Sequence, residues 1–177
     1  MPVGLAFTDL MEYTEWERSK WSQWLRERGR PALETSVGAH GDGRLQTIGE
    51  VVRHIFSAEL RYVDRLSRQP ITETATIPAD DIEAIFALGQ RSRAALSKFI
   101  ETLPAEQWDA MTEFPLLNSV VSATPRKVIV HVLMHEIRHW AQIATLFRLN
   151  GQKGEYHDFL FSPVFGGKFS PVKGNST

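Results

Sequence analysis

Apolar residues recur with a helical period over four long stretches of the chain. The first runs from about Asp9 to Arg28, with Leu10, Tyr13, Trp16, Trp21, Trp24 and Leu25 as its apolar positions. Asp9, followed by Glu12, reads as its cap, because a carboxylate accepts the free N–H groups of a first turn. Gly29-Arg30-Pro31 ends it. A loop from Ala39 to Leu45, with Gly41 and Gly43, precedes the second helix. There Thr47 and Glu50 form a capping-box pattern, Val51, Ile55, Ala58, Val63 and Leu66 are buried, and Pro70 lies just past the end. Asp80 and Glu83 repeat the cap pattern for a third helix, which carries Ile82, Phe86, Leu88, Leu96, Phe99 and Ile100 and stops at Pro104. Between Trp108 and Ala123 the pattern predicts an irregular or short-stranded connection. Thr124-Pro125 opens a fourth helix that reaches Leu149 and stops at Asn150-Gly151. It is apolar on most of its circumference, which predicts a central position.

Four helices, each ~30 Å long, predict an all-α four-helix bundle over residues 1–151, with a long irregular connection between the third and fourth helices. Residues 152–177 form an extended C-terminal tail that repeats Phe-Ser-Pro-Val at 161–164 and 169–172 around Gly166-Gly167. Its Pro and Gly residues exclude a helix there, and Phe159, Phe161, Phe165 and Phe169 predict packing on the bundle or on a partner subunit.

Composition narrows the function. The chain has 177 residues, enough for one domain with a real core. Its 20 basic and 21 acidic residues leave a net charge of −1, with no electrostatic footprint for nucleic acid. It has no Cys, which excludes disulfides, thiolate metal sites and a cysteine nucleophile of its own. The start lacks a basic n-region, and no apolar run approaches the ~20 residues of a membrane span. The expectation is a cytoplasmic protein with no membrane partner.

The histidines carry the candidate chemistry. His131, His135 and His139 are spaced by four, so each step turns about 40° and all three share one helix face. His135 and His139 stand one turn apart, a common chelating geometry for a divalent ion. His131 reads as a packing neighbour, since a third ligand from the same helix stands too far along it. His54, among Val51, Val52, Ile55 and Ala58 of the second helix, is the candidate ligand from a facing helix. His40 and His157 fall in loop and tail and read as surface residues. His135-Glu136-Ile137-Arg138-His139 also matches the zincin pattern H-E-x-x-H. Against that stand the charged Arg138, the lack of a preceding sheet, and a third ligand that would have to be Glu155 in the tail. Glu136 then reads as a neighbour of the ligands or a solvent-facing residue.

These motifs resemble those of the DinB/YfiT family of metalloenzymes, bundle proteins unrelated to the DNA polymerase that shares the name. The resemblance rests on Thr47-Ile48 through His54-Ile55 with Glu59, and on His131-Val132, His135, His139 and Gln142-Ile143. It covers roughly residues 5 to 151. Where the family often has H-H-R-G-Q, this chain has Arg138-His139-Trp140-Ala141-Gln142. The resemblance implies a divalent metal (nickel, zinc, iron or manganese) held by His54, His135 and His139, in a bundle that often forms a homodimer. Some relatives are thiol S-transferases, which implies a low-molecular-weight thiol as co-substrate and a small-molecule electrophile.

Three expectations follow for the chemistry. A coordinated thiol is deprotonated, so S-transfer needs no protein cysteine. Hydrolysis through metal-activated water is a second possibility, with Glu50, one turn before His54, as the candidate base and the more rotated Glu59 as a poorer one. A metal-binding stress-response protein without turnover is a third. Gln142 continues the histidine face, and Arg61, within about 20° of the His54 direction, is placed to meet an anionic substrate. The remaining arginines of the first two helices are interleaved with acids and read as solvated faces.

Overall fold

The computed structural model describes residues 4–40, 43–154 and 157–166. Four long helices form the bundle: α1 (Phe7–Arg28), α3 (Ile48–Leu66), α4 (Ile82–Thr102) and α5 (Pro125–Leu149). A single-turn helix α2 (Arg30–Leu33) follows α1 directly. Gly29 makes that break possible, since its φ of 68° lies in the left-handed region. Helix α3 packs on both α4 and α5, while α1 closes the other side against α5 and α4.

The caps explain the helix boundaries. At α3, Glu50 N donates to Thr47 Oγ1 at 3.3 Å, and the Glu50 carboxylate answers from the other direction, as the sequence pattern predicts. At α5, Thr124 Oγ1 accepts from Lys127 N at 3.2 Å, ahead of Pro125. Two caps differ from expectation. Helix α1 begins at Phe7, so Asp9 is its third residue and reaches back to accept from Ala6 N at 2.6 Å. Helix α4 is capped by Asp81, whose Oδ1 accepts from Ala84 N at 3.0 Å, whereas Asp80 is held by Arg30 at 2.8 Å.

The connection before α5 is short-stranded in part, one of the two forms the sequence pattern predicts. Strands β1 (Thr112–Leu116) and β2 (Ser119–Ala123) form an antiparallel hairpin with Thr112 opposite Ala123. Phe114 and Ala123 cover Val128 and Val132 of α5, giving the hairpin a buried face. The tail is also partly helical in geometry: Asp158 Oδ1 caps a 3-10 turn at Phe159–Phe161 by accepting from Leu160 N at 3.0 Å. Residues 157–166 lie on the bundle, with Tyr13 donating to the His157 carbonyl at 3.0 Å and Val164 buried. The second Phe-Ser-Pro-Val repeat, with Phe169 and Gly167, and the loop residue Gly41 lie outside the described residues. Among the described residues, no helix is long and apolar enough to cross a membrane.

The main core joins Trp21, Trp24 and Leu25 of α1 to Ile55 and Phe56 of α3, Ile85 and Leu88 of α4, and Trp140, Ile143 and Phe147 of α5. Trp21 and Trp140 stack with ring centroids 5.6 Å apart. Close approach at the start of α3 depends on Gly49, where a methyl group would collide with the Ala79 carbonyl oxygen. Gly49→Ala should therefore lower stability by about 1–3 kcal/mol, the usual overpacking range. Urea unfolding checks this, and an unchanged midpoint would show that the 70–81 segment yields freely.

Candidate metal centre

Helices α3 and α5 run antiparallel, as their cross-contacts show. His54 of α3 meets His135 and His139 of α5, while Tyr62, further along α3, meets His131, further back on α5. The apolar stripes of the two helices bury Ile55, Phe56, Val132 and Leu133 between them, which leaves the histidine stripes at the edge of the contact. The three imidazoles are partly buried there.

Their nitrogens converge. His54 Nε2 lies 3.2 Å from His135 Nε2, and His139 Nε2 lies 3.1 Å from the same atom. One ligand atom from each of the three lies within 4.8 Å of the others, so the group could hold a metal ion. A metal about 2.0–2.1 Å from each nitrogen sets neighbouring nitrogens about 2.9–3.4 Å apart, which the observed spacing matches. The proton count argues the same way. His139 Nδ1 stands 2.8 Å from Gln142 Oε1, so Nδ1 carries the proton and Nε2 offers a lone pair. His135 Nε2 faces both other Nε2 atoms and cannot give one proton to two neighbours. A cation at the point of convergence would satisfy all three. Burial, then the neighbouring His139 and His54, push the His135 imidazole down to about 3. It is thus neutral, as a ligand must be, across the ordinary pH range.

Gln142 sits one turn beyond His139 and fixes the orientation of that ring. Partners of this kind tune ligand affinity by 10–100-fold. Gln142→Leu should weaken metal binding about tenfold, measured by competition with a chelating dye. An unchanged affinity would mean that the ring is held by packing alone.

The other sequence candidates lie in varied surroundings. Glu50 Oε2 accepts from Gln46 N at 2.5 Å and Thr47 N at 3.4 Å, so its carboxylate is committed to the α3 cap. Arg61 is half-buried on the His54 face, with Nε donating to the Ser57 carbonyl at 3.2 Å. His131 stands edge-on to Tyr62, centroids 5.3 Å apart, and is outside the converging group. Glu155 lies outside the described residues, as does the side chain of His40. His157 is a correction: it is not a surface residue but stacks flat on Trp21, centroids 4.1 Å apart. The stack covers the Trp21 indole, which is fully buried with the tail in place.

Glu136 is a second correction. It faces neither solvent nor the histidines but the core, where it is 1% exposed. Arg18 grips it through two bonds, Nε to Oε1 at 2.6 Å and Nη2 to Oε2 at 2.7 Å. Arg93 Nη2 adds a bond at 2.9 Å, and Trp140 Nε1 one at 3.0 Å. Glu59 joins the cluster through Arg18 at 3.0 Å and Ser92 Oγ at 2.8 Å. Burial pushes the Glu136 carboxyl up, but Arg18 and Arg93 outweigh it and hold it below the usual range. Arg18 and Arg93 thus lock α1 and α4 to α3 and α5 directly behind the histidines. These four charged residues were not legible as a unit, although each keeps step with an apolar stripe. Arg18 is seven residues before Leu25, Glu59 is four from Ile55 and Val63, and Glu136 is four from Val132 and Trp140.

Glu17, nearby on α1, has no such partner for Oε2 among the described residues. Burial, then the Glu136 charge, push its carboxyl up to about 8. A raised value means that the folded state holds the proton more tightly than the unfolded one. Stability from this group is complete below about pH 4.5 and is lost as pH rises to about 8. Glu17→Gln should flatten the stability profile across that window and stabilise the alkaline end. A wild-type slope in the variant would refute this.

A helical bundle that brings three imidazoles to one point from facing helices defines the class: a candidate metalloprotein of the bundle type. The model of the DinB family matches residues 1–164, so the chain belongs to the DinB family. That match runs beyond the bundle into the tail. No curated protein matches the chain.

Proposed function

We propose that this protein is a divalent-metal-dependent enzyme that activates a low-molecular-weight thiol for S-transfer to a small electrophile. The observation that carries the reading is the donor set: three converging imidazole nitrogens, with no carboxylate in the group. Three ligands leave positions for an incoming molecule. A bound divalent ion would hold a thiol in its deprotonated, nucleophilic form. Nickel, zinc and iron suit such an all-imidazole site, whereas manganese favours oxygen ligands.

The protein's own part is to position. Gln142 orients His139, and the Arg18–Glu136 pair fixes the turn of α5 that presents His135. Hydrolysis is less well served, because it needs a base beside the site. Glu50 is spent on a cap, while Glu59 and Glu136 are spent on Arg18 and Arg93. A thiol is far more acidic than water, so on binding a divalent ion it would release its proton to solvent without such a base. In this reading the protein is cytoplasmic, its substrates are small molecules, and no nucleic acid or membrane takes part.

The test is turnover. Metal-loaded protein is mixed with a panel of thiols, and consumption of monochlorobimane is followed. Metal-dependent conjugation with at least one thiol is expected. Bound metal without turnover by any thiol would overturn S-transfer and leave a metal-binding stress-response protein.

A further inference from the structure

We infer that Arg61 is the recognition group for an anionic function, a carboxylate or a phosphate, on the small molecule that reaches the three-His centre. The inference rests on the metal-site reading above and names the substrate class for it.

Position comes first. Arg61 is seven residues after His54 on α3, two turns on and within about 20° of the same direction. Long helical side chains lean toward the N-terminal end of their helix. Arg61 does so: its Nε donates to the Ser57 carbonyl at 3.2 Å, one turn back toward His54. Its two terminal nitrogens remain available to a ligand. No ion pair to Arg61 is present among the described residues. Arg53 and Arg65 of the same helix also lack a carboxylate, but their terminal nitrogens are taken up by backbone carbonyls, those of Ala75 and Ile77 for Arg53 and that of Arg61 for Arg65.

The surroundings are cationic as well. Burial and the adjacent Arg65 disfavour the charge on Arg61, with smaller opposing pulls from Tyr62 and then Glu73. On the α5 side, a cavity of about 410 Å³ opens beside His135, and Lys127 and Arg138 are the charged residues described in its lining. Neutral imidazoles add no negative charge, and a divalent ion would add more positive charge. An anionic ligand offsets this excess, and a guanidinium matches a carboxylate or phosphate with paired N–H donors.

The test reads binding rather than turnover. Protein is loaded with cobalt(II), its metal content is measured, and thiols are titrated against the visible and near-ultraviolet bands. The probes are 3-mercaptopropionate, 2-mercaptoethylphosphonate and the uncharged 2-mercaptoethanol. Succinate against acetate supplies an arm that needs no thiol. Wild type should prefer at least one charged probe over its comparator by about tenfold or more, the scale of a charge-assisted pair. The better of the carboxylate and phosphonate probes identifies the anion. Arg61→Met should reduce the preference to about twofold or less, and Arg61→Lys should restore part of it. Absence of any preference in wild type, or its survival in Arg61→Met, would overturn the inference while leaving the metal site standing. Failure to load metal would instead sink the metal-site reading, and this inference with it.

Discussion

His135→Ala and His139→Ala should each abolish stoichiometric metal binding, with affinity falling by at least about a hundredfold. Removal of even an orienting partner costs 10–100-fold, and loss of a ligand costs more. His135 is the pivot, since its Nε2 lies 3.2 Å from that of His54 and 3.1 Å from that of His139. Its loss removes the nitrogen that both other imidazoles face and leaves two ligands, His54 and His139. His54→Ala should weaken binding too, because it removes the only described member of the group on α3. His131→Ala is the control: its ring packs on Tyr62, so metal content should stay near wild type. Metal analysis after desalting and competition with a chelating dye measure both. Retained stoichiometric metal in His135→Ala and His139→Ala would refute the chelate.

The second large effect is on stability. Glu136→Ala should destabilise the fold by about 3–5 kcal/mol, because it strands a buried guanidinium. Arg18 is 5% exposed and would keep Glu59 and the Gly89 carbonyl, but not its two-bond partner. Trp140 Nε1 would also lose its acceptor in a part of the core that water does not reach. That is a large share of the 5–15 kcal/mol that holds a typical domain. A double variant, Arg18→Met with Glu136→Leu, should recover much of the loss, since a buried pair replaced by apolar residues is often near neutral. Urea unfolding followed by circular dichroism measures all three proteins. A loss below about 1 kcal/mol for Glu136→Ala would show that Arg93 and Glu59 carry the network without it.

The two effects meet at one turn of α5. His135 and Glu136 are adjacent and point apart, one to the metal group and one to the core. Helical period made the bundle legible, because each stripe of apolar residues has one face to bury. The i,i+4 spacing made His135 and His139 legible, because it is local. His54 stands across a helix contact; its apolar neighbours on α3 make it a candidate, and the resemblance supports it, but no local spacing ties it to α5. The Arg18–Glu59–Glu136–Arg93 cluster draws on all four long helices, and pairing across helices leaves no local pattern. Glu136 escapes a local reading for that reason: a charged residue beside two ligands looks solvent-facing until its partner on α1 is seen. His157 escapes it likewise, since its stacking on Trp21 joins positions 136 apart. The α4 cap falls on Asp81 rather than Asp80 because the two adjacent acids compete and Arg30 holds Asp80, while Asp9 serves α1 from its third position.

The central claim is that His54, His135 and His139 hold one metal ion. Crystals of the protein purified without chelator, measured at X-ray energies above and below candidate metal edges, test it most directly. One anomalous peak is expected about 2.0–2.2 Å from the three Nε2 atoms, with a further position open to solvent or ligand. No anomalous peak after soaking in nickel, zinc, iron and manganese salts, or a peak elsewhere with the three imidazoles bare, would contradict it.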